Sequence, residues 1–483
     1  PETTWTTSAL STANANPLVF VSSGRLATQI WLSDTVLYKF VLKDSNDNTL
    51  GTWDNIYGIG SPLSSNSYYL PAGTGAVATT VQARLREQPL TAKGTGAVGN
   101  GVATSDGADI NQALTDAAAL TNGGQVDLSP GVYLTTVPIV IPAKVRLNLN
   151  GAIIRNSGTV NPLVEITAGN AGASGSLVGN GPQSLIDQTG TGDGVYVNGI
   201  MSQADVVIAN VKIQGTSSGS SGLHLKILNR VTTYNLHIAG FTTGDGIKNE
   251  GANSVTHIAP NITSCLYGIH TLTTTNGADQ YSSNAVVVVG GQIRSCTGWG
   301  WWEDPTGAGG TNLGNKAIGV TFEANGAVIP QNHVYIGDAS NAPNGISITG
   351  NIFASGVGTV NTIHDFNGQS VFIDGNIEIG APTNFLNHGT LARGLYLGSN
   401  RAAGVTNYFA GSDNGADSIV VGGVATVVNQ QGPTVTGYGH TQLTGYGQDL
   451  IIQTRTGGTN NQTLRATDGT ALGSLTNLGV YSV

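Results

Sequence analysis

Gly194-Val195-Tyr196, Gly222-Leu223-His224, Gly246-Ile247-Lys248, Gly268-Ile269-His270 and Gly300-Trp301-Trp302 are returns to one short pattern: a small residue, an apolar one, then a large polar or aromatic one. Looser copies follow at His333-Val334-Tyr335 and Thr362-Ile363-His364. The middle residues lie 28, 24, 22, 32, 33 and 29 positions apart. A second ladder precedes the copies by 7 to 12 residues and reads Ile213, Ile238, Ile262, Ile293, Phe322, Ile352, Ile377. Two ladders held in phase at such a period require a coiled chain whose turns stack.

The ladder copies are short, β-branched and alternating, so each reads as a strand. Between them the chain is rich in Gly, Ser, Thr and Asn, with no room for a helix in each repeat. The leucine-and-asparagine consensus of leucine-rich repeats is missing. An all-β fold follows, a right-handed parallel β-helix solenoid. Alternation sends the ladder Ile, Val and Trp301 inward and the third residue of each copy outward. Turns about 4.8 Å apart then place Tyr196, His224, Lys248, His270, Trp302, Tyr335 and His364 in one exposed column. That column is the expected binding surface.

Composition agrees. The chain has 483 residues, 70 of them Gly, with only 10% charged residues and a net charge of −9. Abundant Gly without collagen periodicity suits an all-β coil with many tight turns. The acidic balance argues against nucleic acid, whose phosphates demand a basic surface. No apolar run is long enough for a membrane span and no signal peptide is expected; the start at Pro1 reads as processed or trimmed. Cys265 and Cys296 each fall three residues after a ladder Ile on adjacent turns and are expected to be free, stacked thiols. No metal-ligand spacing, phosphate-binding Gly loop or Gly-x-Ser-x-Gly elbow is present, so neither metal nor cofactor is expected. Asn261, Gln292, Asn351 and Asn376 read as a structural polar ladder.

Four segments are expected. Residues 1–60 form a small β-domain, with short strands near Asn16–Val21, Ile30–Leu32, Tyr38–Leu42 and Thr52–Ile56 and a turn at Asp44–Asn48. Residues 61–100 hold a linker and a helix, with Thr79 and Gln82 spaced as a capping box. Residues 101–410 form the β-helix, capped by an amphipathic helix from Asp109 to Leu120 that covers an open strand edge. Residues 411–483 form a small C-terminal β-domain.

Thr80-Val81-Gln82-Ala83-Arg84-Leu85-Arg86-Glu87 resembles the neck helix of bacteriophage tailspike proteins. The motifs after it are Gly96-Ala97-Val98-Gly99-Asn100-Gly101, the Asp109–Leu120 helix and Gly123-Gly124-Gln125-Val126-Asp127-Leu128-Ser129-Pro130-Gly131-Val132-Tyr133. Their order is similar to the opening of the pectate-lyase-like β-helices of those tailspikes. Residues 16–56 resemble a virion-attachment domain. The resemblance covers the first third of the chain by motif and the rest by architecture; Gln88-Pro89-Leu90-Thr91 departs from the apolar-aromatic pattern usual after the neck. It implies a homotrimer in the phage tail, assembled in the host cytoplasm and acting at the bacterial surface. Phage tail or baseplate proteins would be its partners through the N-terminal domain, and a capsule or O-antigen polysaccharide its substrate.

Loop length marks where chemistry belongs. The turns after Ile269, Trp301 and Val334 throw out the longest loops, and long loops on a rigid coil carry function. Trp299, Trp301 and Trp302 crowd beside Glu303 and Asp304. Aromatic faces stack on sugars, and paired carboxyl groups handle the protons of glycoside hydrolysis. Glu303, Asp304 and Glu323 are the expected acids, with Asp338 and Asp365 in reserve. Set against this, Trp301 fills the core, and Arg294–Glu323 also reads as an ordinary surface pair. Glu323 and Glu378 are expected on one outward column, two turns apart. Besides that column, Arg294 and His333 are expected to bind substrate. The alternative reaction is β-elimination from a uronic-acid polymer, with Arg294, Lys248, His333, Tyr335 and His364 supplying neutraliser, base and acid. The polygalacturonase signature of this fold is absent. A third reading is an adhesin that holds glycan without cutting it.

Overall fold

A computed structural model describes residues 3–7, 9–33, 36–57, 68–69, 79–80, 88–168, 174–199, 203–305, 311–326, 332–339, 341–356, 359–402, 404–411, 420–421, 462–465 and 471–475. The chain divides into two compact units, Pro1–Leu90 and Thr91–Val483.

In the first unit, strands Leu37–Lys43 and Thr49–Tyr57 pair antiparallel. Asp44 makes the turn between them: its Oδ1 accepts the backbone N–H of Asn46 and Asn48 at 2.9 and 2.8 Å, a local side-chain bond typical of turns. The stretch at Asn16–Val21 is not a strand; only Phe20 bridges Leu26. Thr79 and Thr80 pair with Tyr69 and Tyr68 as extended chain rather than capping a helix. The rest of the expected neck helix, 81–87, lies outside the described residues.

The second unit opens with a helix, Asp106–Ala118, whose Ile110, Ala113, Leu114 and Ala117 are buried. It starts three residues before the expected position because Asp106 is drawn inward: its carboxylate accepts the Val98 and Gly99 N–H groups. Leu120 lies beyond the helix and is exposed. Among the described residues between Gln125 and Val421, parallel strands stack in three columns, sheets 1 to 3. Sheet 1 includes Val164–Thr167, Val195–Asn198 and the strands that repeat that position, through Tyr267–Leu272, Trp301–Asp304, Asn332–Ile336, Asn361–Asp365 and Asn384–His388. Sheet 2 runs through Val287–Val289, Lys316–Ile318 and Ser347–Thr349. Sheet 3 runs through His237–Ala239, Asn261–Thr263, Gln292–Arg294 and Thr321–Glu323.

The repeat reads directly into register. Val195, Leu223, Ile247, Ile269, Trp301, Val334 and Ile363 pair turn to turn and are buried. Ile213, Ile238, Ile262, Ile293 and Phe322 do the same in sheet 3. The repeated Gly is fixed where the two ladders meet. A Cβ on Gly246 would lie 2.5 Å from Ile262 Cγ2 and 2.6 Å from the Gly268 carbonyl oxygen of the next turn, closer than side-chain atoms can sit.

The sheet 3 ladder departs from expectation at its end. Phe322 pairs with Phe353 and Phe353 with Glu378, so Ile352 and Ile377 point outward and are exposed. A shift of one residue exchanges the faces of a strand, and Phe353 stacks on Phe322 at 5.1 Å, the better core filler. Glu378 is therefore buried, not beside Glu323; Ser355, Thr362 and the Gly380 N–H donate to it. The polar ladder is Asn351, Asn376 and Asn400, each Nδ2 donating to the next Oδ1 at 2.9 and 2.8 Å; Asn261 and Gln292 stand on a different column. Cys265 and Cys296 are free and buried.

Candidate functional site

The expected column exists. Tyr196, His224, Lys248, His270, Trp302, Tyr335 and His364 are register partners in unbroken succession on the outer side of sheet 1. It is not the exposed column expected: Tyr196, Lys248, Trp302, Tyr335 and His364 are half-buried, and His224 and His270 are buried, because carboxylates from neighbouring turns close over them.

His224 Nδ1 lies 2.9 Å from Asp193 Oδ2, and its Nε2 lies 2.8 Å from Glu250 Oε2. His270 Nδ1 lies 3.2 Å from Asp245 Oδ2, and its Nε2 lies 3.1 Å from Asp304 Oδ2. An ionised carboxylate only accepts, so a carboxylate on each ring nitrogen calls for a proton on each. Burial opposes the charge on His270, but Asp245 and Asp304 together outweigh it and carry the ring up to about 9. His224 shifts upward by the same balance, burial being outweighed by Asp193 and Glu250. Burial likewise opposes the Glu250 charge, yet His224, Lys248 and Thr274 hold that carboxyl well below the usual range. Lys226 Nζ and Lys248 Nζ stand 3.1 and 3.2 Å from Glu250, and Thr274 Oγ1 donates to it at 2.8 Å.

Each acid–imidazole–acid group draws on three successive turns in one arrangement. The first acid stands just before the repeated Gly (Asp193-Gly194, Asp245-Gly246), the His occupies the column one turn on, and the last acid stands two residues past the column on the turn after that. The second group is the first displaced by two turns.

Aromatic rings continue the face from His270. Trp302 stacks on His270 with centroids 4.2 Å apart and planes 5° from parallel. Trp299 stacks on Tyr335 at 4.1 Å and meets Trp302 edge to face at 4.7 Å. Tyr267 lies within 5.5 Å of His270, Trp299 and Trp302. His364 meets Tyr335 at 4.9 Å, and burial lowers its basicity. The loop expected after Ile269 is an antiparallel hairpin, Thr274–Asn276 with Asp279–Tyr281, tied to the cluster through Thr274. The other two expected loops fall partly on residues outside those described.

No protein-family model matches the chain, and no curated protein matches it. Solved structures do. A double mutant of the tailspike protein of E. coli bacteriophage HK620 superposes with a TM-score of 0.57 at 11% identity, covering 75% of this chain and 72% of that one. Another double mutant of the same tailspike, in complex with a pentasaccharide, gives 0.53 at 12% identity, covering 78% and 70%. Geobacillus virus E2 ORF18 gives 0.47 at 15% identity, covering 77% of this chain and 66% of that one. The fold is that of the tailspike β-helix.

Within this tailspike-like coil several expected site residues stand elsewhere. Glu303 and Asp365 point into the solenoid, because each lies one residue past the outward column. Glu303 Oε2 accepts Nδ2–H bonds from Asn312 and Asn315 at 3.1 and 3.0 Å. Burial pushes its carboxyl up to about 8 against those bonds. Asp365 is enclosed by the Gly368 N–H and by His388 at 3.0 Å. His333 is a core residue, 3.1 Å from Ser355 Oγ, pushed down to about 3 by burial. Arg294 and Glu323 pair in register on sheet 3, away from this face, and Glu323 accepts Gln292 Nε2–H at 2.7 Å. Asp338 follows the Asn332–Ile336 strand and accepts the Asn341 N–H. Sequence reasoning passed over Asp193, Asp245, Glu250, Lys226 and Tyr267. Two signals pointed to the acids among them: Asp directly before the repeated Gly at two copies, and an acid two residues after the column residue at Lys248, as at Trp302.

Proposed function

We propose that the outer face of sheet 1 binds an extended bacterial surface polysaccharide, capsule or O-antigen, and cleaves it by endo-glycoside hydrolysis. One observation carries this reading: the Asp245–His270–Asp304 group lies directly against the Trp302 ring. Sugar faces stack on such rings, and hydrolysis needs a proton donor and a carboxylate base flanking the scissile bond. Asp304, fed by the Nε2–H of His270, delivers a proton to the leaving oxygen. Asp245, on the other ring nitrogen of His270, draws one from the attacking water. Tyr267, Trp299 and Tyr335 extend the platform for neighbouring sugars. The pentasaccharide complex of the similar tailspike supports a glycan ligand on this fold.

β-Elimination is the second reading, favoured by Lys226 and Lys248 beside Glu250, where a cation would neutralise a uronate. A purely adhesive spike is the rival of another class. By the same likeness the protein is a virion tail component acting at the bacterial surface, a homotrimer joined to the tail through its N-terminal segment. Incubation with capsular and O-antigen polysaccharides separates the readings. New reducing ends without absorbance from an unsaturated product mean hydrolysis, and absorbance means elimination. Retained binding without products means adhesion and would overturn the enzymatic reading.

A further inference from the structure

The face described above divides by what solvent meets. In the Asp193–His224–Glu250 half, the Asp193 and Glu250 side chains are only 12% and 9% exposed, whereas Lys226 and Lys248 are 35% and 26% exposed. Tyr196 stands on the same column, its ring 5.1 Å from that of His224, and burial, with Glu250, Glu165 and Asp193, holds its hydroxyl protonated up to about 12. An incoming group therefore meets two ammonium groups and a phenol O–H, all donors. In the Asp245–His270–Asp304 half, every charged side chain is at most 11% exposed, and solvent meets Trp302 and Tyr267 instead.

The charge count runs the same way. Lys226, Lys248 and protonated His224 stand against Asp193 and Glu250, an excess of one positive charge. Glu165, facing Tyr196 from the preceding turn, brings that half to balance. His270 against Asp245 and Asp304 leaves the other half with one excess negative charge. An anionic substituent is thus repelled from the aromatic half and received where the lysines stand.

Building on the glycan-binding reading, we propose that Lys226, Lys248 and Tyr196 form a subsite for an acidic sugar, its carboxylate held by the two ammonium groups and the phenol. The substrate class is then a polysaccharide with a uronic-acid-type residue adjoining the neutral residue seated on Trp302. Glu250 and His224 position the lysines: Glu250 lies between both Nζ atoms, and His224, braced by Asp193, holds Glu250 in place.

The test is binding of the full chain to an array of bacterial surface oligosaccharides, each acidic one paired with its carboxyl-reduced counterpart. The wild type is expected to select uronate-containing ligands and to lose at least about tenfold in affinity on carboxyl reduction. The Lys226→Gln/Lys248→Gln double variant should lose that discrimination while still holding the reduced ligand, which also reports that it is folded. Trp302→Ala should weaken both ligands alike. Selection of neutral glycans, of glycans acidic only through phosphate or sulfate, or equal affinity for acidic and reduced forms would overturn the proposal. So would a double variant that weakens both forms equally. If the wild type holds no oligosaccharide and Trp302→Ala changes nothing, the glycan-binding reading itself fails, a result distinct from loss of acid selectivity alone.

Discussion

At the scale of single residues, burial and pairing sort the acids of this chain into two chemical kinds. Asp245 and Asp304 share a cation, His270, at 3.2 and 3.1 Å, and their partner is carried up to about 9. Asp304→Asn should remove one of the two forces holding the His270 proton. The expected outcome is a fall of about 10²- to 10⁴-fold in turnover, accompanied by a downward move of the His270 titration followed by NMR. Cleavage retained at full rate in both Asp245→Asn and Asp304→Asn would remove the proposed chemistry. Glu303 is of the other kind, a carboxyl in the interior pushed up to about 8 from an ordinary 4.5. A raised carboxyl means the folded state holds the proton more tightly than the unfolded chain. The stability it contributes is complete below about pH 4.5 and is lost as pH rises towards 8. Glu303→Gln should flatten that part of the pH–stability curve and stabilise the protein most above pH 8, as read by denaturant midpoints at fixed slope.

At the scale of elements, the period of the sequence was enough to place a whole column. Each copy of the pattern fixes both a buried ladder residue and its outward neighbour, and the seven copies keep register through six successive turn-to-turn pairings. Periodicity says which way a residue points, so the inward position of Glu303, one past the column, was available from the same rule. Composition beside Trp302 outweighed it. What periodicity does not say is which turn supplies the partner of an outward side chain. Asp193 and Asp245 reach His224 and His270 from the preceding turn, about 4.8 Å away, a neighbour that is 31 and 25 positions distant along the chain. The slip at Ile352 and Ile377 has a different cause. There two apolar residues stand side by side, Ile352 with Phe353, and the pattern admits either as the inward one. Packing on Phe322 decides it. The Gly of the repeat gives a test at this scale. Gly246→Ala would force a Cβ against both Ile262 and the next turn's backbone, an overpacking that should cost about 1–3 kcal/mol in chemical denaturation. Thr274→Val, which removes a donor to Glu250 from the hairpin, should cost much less stability.

At the scale of the whole molecule, the solenoid makes opposing demands on its buried titratable groups, and their sum predicts where it is most stable. His257 and His333 sit in the core, each pushed down to about 3 by burial. Below their ordinary value of about 6.5 the unfolded chain gains protons that the folded chain refuses. These two residues therefore contribute stability that is complete above about pH 6.5 and is lost as pH falls towards 3. Glu303 works in the reverse direction, its contribution fading as pH rises from 4.5 to about 8. His270, carried up to about 9, works in the same direction as Glu303, its contribution complete below about pH 6.5 and lost as pH rises towards 9. Stability should therefore fall on both sides of an optimum near pH 6.5. Replacing His257, which meets Thr233 Oγ1 at 3.0 Å, by Asn keeps a polar group in the core but removes the titration. The acid limb of the curve for His257→Asn should therefore shallow, although its absolute stability at pH 7 is lower. Denaturant unfolding from pH 3.5 to 9 measures both limbs. An acid limb equally steep in wild type and variant would show that the core admits protons that burial is argued to exclude.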